Sequence, residues 1–228
     1  MVPVQNRIIF EDNHLIAINK ANGELVQPAN GEQDSIEESV KSYLKDAYNK
    51  PGNVFLGVIH RLDRPVSGCV LLAKTGKALA RMNEQFKQRE PQKIYHAIVR
   101  GVPENTEAHL EHFLRRDGKK NMTRVVAAES NDAKRAVLQY KTIGTSTSFS
   151  LLEILLETGR HHQIRAQLAA VGLPILGDLK YGDRRSLPDG GIALHAFRLA
   201  FQHPVTNLPV TLQANYPNQP HWNLFNAG

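Results

Sequence analysis

Two guanidinium groups flank one carboxylate in the segment His60-Arg61-Leu62-Asp63-Arg64-Pro65-Val66-Ser67-Gly68, the densest polar cluster in the chain. Nearby positive charge keeps a carboxylate ionised, and an ionised, well-placed aspartate can serve as a nucleophile. Pro65 and Gly68 constrain a turn, so the Asp63 carboxylate is presented by a loop rather than a helix face. An isolated Arg-Leu-Asp-Arg string is more often a loop salt bridge that does no chemistry.

A second cluster is Thr158-Gly159-Arg160-His161-His162-Gln163-Ile164-Arg165. Gly159 frees a turn, and the unpaired N–H groups of a helix start suit an anionic partner. His162 and Arg165 stand three apart and share a helix face. Arg165 suits a carboxylate on a neighbouring loop or a phosphate. Adjacent histidines are the wrong spacing for two metal ligands on one helix face, so no metal is expected. The third element is Lys93-Ile94-Tyr95-His96-Ala97-Ile98-Val99. Strand alternation puts Tyr95 with Ala97 and Val99, where its ring can stack on a nucleobase or simply pack.

The elements that must position these residues are legible in part. Arg7–Glu11 and Leu15–Asn19 read as strands around an Asp12-Asn13-His14 turn. Ser35 with Glu38 forms a capping box ahead of Ile36, Val40 and Leu44 at helical spacing. Cys69–Ala73 predicts a strand, and Thr75-Gly76 opens a helix with Leu79, Met82 and Phe86 inward and Lys77, Arg81 and Lys87 outward. Further strands are expected at Ile94–Val99, Val137–Thr142, Phe149–Glu157, Ile192–Phe201 and Leu208–Ala214, with a short helix at Gln163–Ala170 that Gly172 and Pro174 stop. Arg115 to Arg124 reads as a polar, charged loop. Strands outnumber helices and do not alternate regularly with them. The expectation is an α+β fold: one domain over residues 1–228, built on a mixed, mainly antiparallel sheet with flanking helices.

Bulk properties narrow the function classes. With 41% hydrophobic and 22% charged residues, the 228-residue chain has the composition of a globular protein. Its single cysteine, Cys69, excludes an internal disulfide and a cysteine-rich metal site. No apolar run reaches membrane-spanning length and no secretory pattern opens the chain, so a cytoplasmic location is expected. Net charge is +6, which favours polyanionic partners met by a folded surface, because charge is spread rather than gathered in a tail.

The Asp63 segment, with Leu71-Leu72-Ala73-Lys74 after it, resembles the signature of the RluA-type pseudouridine synthases. Asn19-Lys20-Ala21-Asn22-Gly23, Lys93 to Gly101, Thr158 to Arg165, Pro174 to Asp178 with Tyr181-Gly182, Leu194-His195-Ala196 and His203-Pro204 are similar to the family's other segments, in family order. Ala21 and Val66 depart from residues the family usually carries, proline and threonine. The resemblance implies a sheet with a central RNA-binding cleft, Asp63 as catalytic aspartate and Arg165 as its ion-pair partner. It implies Tyr95 against the target base and Arg61 holding the flipped nucleotide or filling its place. Arg64, Arg160, His162, Lys119 and Lys120 are the candidates for contacts to the RNA backbone.

The implied reaction isomerises uridine without redox change or group transfer to water, so no cofactor is expected, and no P-loop or dinucleotide fingerprint occurs. Structured RNA, a ribosomal or transfer RNA stem-loop, is the implied partner, with no membrane and no obligatory protein partner. The wording that resembles the family's catalytic domain starts within the first ten residues, so no N-terminal RNA-binding appendage is expected. The alternative is a catalytically inactive RNA-binding protein of the same fold.

Overall fold

The computed structural model describes residues 2–29, 31 and 34–225. In chain order the elements are β1 (Ile8–Glu11), β2 (Leu15–Lys20), α1 (Ile36–Ala47), β3 (Gly57–Val58), β4 (Ser67–Ala73), α2 (Gly76–Gln88), β5 (Gln92–Arg100), β6 (Glu107–Asp117), β7 (Met122–Val126), β8 (Lys134–Thr145), β9 (Phe149–Leu156), α3 (Gln163–Ala170), β10 (Leu194–Gln202), β11 (Pro209–Gln213) and α4 (Pro220–Asn223). The α+β expectation holds. The chain groups into two compact units, one of residues 1–91 and 196–216, the other of residues 92–195 and 217–228.

In the first unit the strands run β1-β2-β4-β10, with β3 on β4 and β11 on β10. The β1–β2, β2–β4, β3–β4 and β10–β11 pairings are antiparallel. The turn expected at Asp12 is made by its carboxylate, which accepts the N–H groups of His14 and Leu15 at 2.8 and 2.7 Å. Every residue of β4 is buried, so the run Ser67–Ala73 is apolar on both faces, as a central strand requires. One face builds a core of Leu15, Ala17, Leu71, Met82, Leu199 and Phe201. The helices start where the capping signals place them: Ser35 Oγ accepts the Glu38 N–H at 3.2 Å, and Thr75 Oγ1 accepts the Ala78 N–H at 3.2 Å. In α2 the fully buried positions are Ala78 and Met82, with Leu79 and Phe86 packed at the margin of that core.

Gly68, at the head of β4, has φ +115°. A Cβ there would lie 2.4 Å from the Ala196 carbonyl oxygen and 2.5 Å from its nitrogen. Only glycine lets β4 approach the β10 backbone this closely while the chain leaves the Asp63 turn.

The second unit is a meander in the order β5-β9-β8-β6-β7, antiparallel at β5–β9, β8–β9, β6–β8 and β6–β7. The short helix α3 packs through Ala166 against Leu114, Ala136 and Tyr181. One expectation is corrected here. Residues 115–124 are not a loose loop but most of the β6–β7 hairpin, with only the tip between Asp117 and Met122 outside the strands. Arg115 faces Arg124 directly across this hairpin, and Arg116 faces Thr123.

Candidate active site

In the first unit the site is built around the turn that carries Asp63. The Val66 N–H donates to the Asp63 carbonyl at 3.0 Å, closing the turn over Arg64 and Pro65. Leu62, Val66 and Ser67 are buried, Asp63 is half-buried, and Arg61 and Arg64 are exposed. The turn is thus anchored by apolar residues on either side while its charged side chains look outward. His60 supports the strand that follows: its Nε2 accepts the Leu71 N–H at 3.1 Å, and its ring stacks on Phe86 at 5.2 Å.

Beneath the turn lies Lys20, the last residue of β2 and only 1% exposed. Its Nζ donates to the carbonyls of Ala21 at 3.0 Å, Arg64 at 3.0 Å and Val66 at 2.6 Å. Three carbonyl acceptors match the three N–H groups of an ammonium, so the turn is built around the charged form. Burial pushes the Lys20 pKa down to about 7, and the carboxylates of Glu24 and Asp63 oppose that shift. Glu24 is itself buried, paired to Arg7 at 2.6 Å and accepting the Ala21 N–H at 2.8 Å. The Asn19–Gly23 segment is bound to the same turn from its far end, where the Gly23 N–H donates to the Arg64 carbonyl at 2.9 Å. Arg64 Nε returns a bond to the Gly23 carbonyl at 3.0 Å. One of the candidate RNA-backbone cations therefore spends its Nε on the turn's own structure.

In the second unit Arg165 projects from the first turn of α3. Its Nε and Nη2 donate to the two oxygens of Asp178 at 2.6 and 2.8 Å, a bidentate pair buried on both sides. The guanidinium carbon lies 4.9 Å from the centre of the Tyr181 ring. Tyr181 Oη accepts the Thr123 N–H at 2.8 Å and shares a hydrogen bond of 2.9 Å with His162 Nδ1. Burial, with Arg165 and His161 adding positive charge, pushes the His162 pKa down to about 3. As a candidate for RNA contact it offers a neutral, buried ring and not a cation. His161 stacks on it at 3.7 Å and meets Thr123 Oγ1 at 2.9 Å through Nδ1.

The remaining candidates sort by exposure. Tyr95 is half-buried on β5, opposite Ile154 of β9, while its neighbour His96 is buried on the other face beside Glu153 at 3.4 Å. Arg160 is half-buried, its Nε on the Arg135 carbonyl at 3.1 Å. Gln163 orders this entry to α3, accepting from Thr158 Oγ1 at 2.7 Å and the Arg160 N–H at 2.9 Å. Lys119 and Lys120 are exposed at the hairpin tip. Among the described residues no three His, Cys, Asp or Glu side chains converge as a metal site would need.

Lys20, Asp178 and Tyr181 are the residues to which sequence reasoning assigned no role. For Lys20 a signal existed: a lone cation ends an otherwise apolar strand, where an unpaired charge would be costly. For Asp178 and Tyr181 the pattern alone carries no pointer, since their partners lie 13 and 19 residues away.

Comparison with known proteins agrees with this layout. The family model described as RNA pseudouridylate synthase matches residues 14–170. The ribosomal large subunit pseudouridine synthase D of Zymomonas mobilis is 34% identical over 220 residues, covering 92% of this chain and 69% of that protein. The tRNA pseudouridine synthase C of Vibrio parahaemolyticus is 31% identical, with 94% of this chain and 92% of that protein covered. Among solved structures, human RNA pseudouridylate synthase domain containing 4 superposes with a TM-score of 0.78 at 26% identity, covering 94% of this chain and 90% of its own.

Proposed function

We propose, from the premise that this chain belongs to the RNA pseudouridylate synthase family, that Asp63 is the carboxylate with which it isomerises uridine in RNA to pseudouridine. The reaction breaks the bond from C1′ to N1, turns the uracil, joins C1′ to C5, and replaces the C5 proton by one on N1. Nothing is gained or lost overall. Attack of a carboxylate on the sugar and carboxylate-assisted removal of the 2′ proton both require an ionised, positioned aspartate. The observation that carries the reading is the Asp63 turn, a half-buried carboxylate on a scaffold closed by Val66 and pinned from below by Lys20.

In this reading Arg165 and Tyr95 serve the nucleotide undergoing reaction, with Tyr95 packing against the target base. Arg61 engages the flipped nucleotide. Flipping costs a few kcal/mol, least for bases already in loops, and contacts to phosphate and base offset it. In the same reading residues 1–228 act as one catalytic domain. The substrate class is a stem-loop of ribosomal or transfer RNA, the two kinds named for the relatives above, and no obligatory protein partner is required. Among the described residues no helix is long and apolar enough to cross a membrane. A cytoplasmic location suits an RNA substrate.

The test is conversion of uridine-containing RNA by the purified chain, read as pseudouridine. Asp63→Asn is expected to remove turnover while RNA affinity stays within a few-fold, because the substitution deletes a charge from chemistry and not from phosphate binding. Substantial activity in that variant would end the proposed role of Asp63.

A further inference from the structure

Within the second unit an open cleft of about 360 Å³ is lined by Arg100, Arg184, Arg185 and Ser186, with Phe149 and two leucines as its apolar wall. No residue lining it is acidic. Arg100 is partly neutralised, its Nε on Asp183 Oδ1 at 2.8 Å and its guanidinium carbon 5.4 Å from the Phe149 ring centre. Arg184 and Arg185 are exposed, and no carboxylate among the described residues pairs with either. The cleft therefore carries the positive charge of Arg184 and Arg185, which no paired carboxylate among the described residues offsets.

The loop that displays these arginines is held in place. Asp183 Oδ2 accepts the Gly177 N–H at 2.7 Å, fixing one end. At the other end, Gly190 N–H closes onto the Leu187 carbonyl at 3.0 Å. Gly177 has φ +89°, and a Cβ there would lie 2.7 Å from Leu187 Cγ and 3.0 Å from the Gly191 carbonyl oxygen. Glycine is required for the loop to seat at all. Two guanidinium groups on an anchored loop, a hydroxyl and an aromatic wall make the donor set for a phosphodiester with a nucleoside beside it.

We propose that this cleft binds a backbone phosphate of the RNA substrate, as a contact additional to the nucleotide undergoing reaction. The proposal rests on the RNA-modifying reading above. An open cleft admits a continuing strand on both sides, which favours a polymer over a free nucleotide as occupant.

The experiment compares the full chain with the Arg184→Ala/Arg185→Ala double variant, both side chains being exposed and free of structural bonds to carboxylates. Binding of a uridine-containing RNA stem-loop is measured from about 50 to 200 mM salt, and pseudouridine formation is measured at saturating RNA. Neutralising one to two phosphate contacts should lower the salt slope by roughly 1 to 2 and weaken binding roughly tenfold at the low-salt end. The rate at saturation should be unchanged, and Arg184→Lys/Arg185→Lys should restore most of the slope. Unchanged affinity and slope would overturn the proposal. So would UMP binding that depends on both arginines while RNA binding does not, since the cleft would then serve free nucleotides. If the wild-type chain bound RNA but made no pseudouridine, the functional reading would fall while the binding comparison still judged the cleft.

Discussion

Burial, reinforced by the charge of Arg165, keeps the ring of His162 neutral. Thr123 N–H donates to Tyr181 Oη, which lies 2.9 Å from His162 Nδ1, and burial beside the positive charge of Arg165 disfavours protonating the ring. With its pKa pushed down to about 3, the native ring stays neutral where the unfolded chain's histidine already binds a proton. Between the ordinary histidine value, about 6.5, and 3, the unfolded state therefore holds more protons and stability falls as pH falls. His162→Asn keeps a polar partner for Tyr181 and removes the titration. Its cost at pH 7 should be about 1 kcal/mol, and its acid limb should be flatter than that of the wild type in denaturant melts. Parallel loss of stability in the two proteins from pH 6.5 to 4 would show that His162 is not the neutral group assigned here.

At the scale of elements, the end of β2 and the Asp63 turn form one device, coupled by Lys20 through the carbonyls of Ala21, Arg64 and Val66, of which Arg64 also accepts the Gly23 N–H. Lys20→Met keeps most of the volume and removes every donor. Leaving buried carbonyls unsatisfied should cost on the order of 3 kcal/mol, and the loosened turn should lower kcat more than it weakens RNA binding. Thermal melts and single-turnover rates check both; a variant with normal kcat would separate Lys20 from the presentation of Asp63. This device was only half visible beforehand. The turn could be read from Pro65, Gly68 and the flanking apolar runs, because turn chemistry is local. The capping signals at Ser35 and Thr75 were legible for the same reason. Its support could not be read, because the Lys20 bonds to Arg64 and Val66 span more than forty residues. The β6–β7 hairpin was misread as a loop since most of β6 is only partly covered. From Arg115 onward charged residues stand on both faces, and the apolar alternation that marks a half-buried strand is absent from residues 115–124.

For the whole molecule the question is where a net charge of +6 meets RNA. Composition shows only the excess; the fold gives it an address. Between residues 115 and 124 there are five basic side chains and one acid. The hairpin sets Arg115 opposite Arg124, a like-charge pair that opposes folding unless an anion bridges it. Lys119 and Lys120 extend the same charge to the tip, with the backbone there ordered by Asp117 Oδ1 accepting the Lys120 N–H at 3.1 Å. Lys119→Ala/Lys120→Ala should therefore leave the melting temperature nearly unchanged while weakening RNA binding and flattening its salt dependence by roughly 1 to 2 in slope. The loss should be similar for uridine-containing RNAs of different sequence, since phosphate contacts position without reading bases. An unchanged slope would remove the hairpin tip from the RNA footprint. A reduced slope, adding to that of the Arg184→Ala/Arg185→Ala variant when the two are combined, would show that hairpin and cleft neutralise different phosphates of one bound RNA.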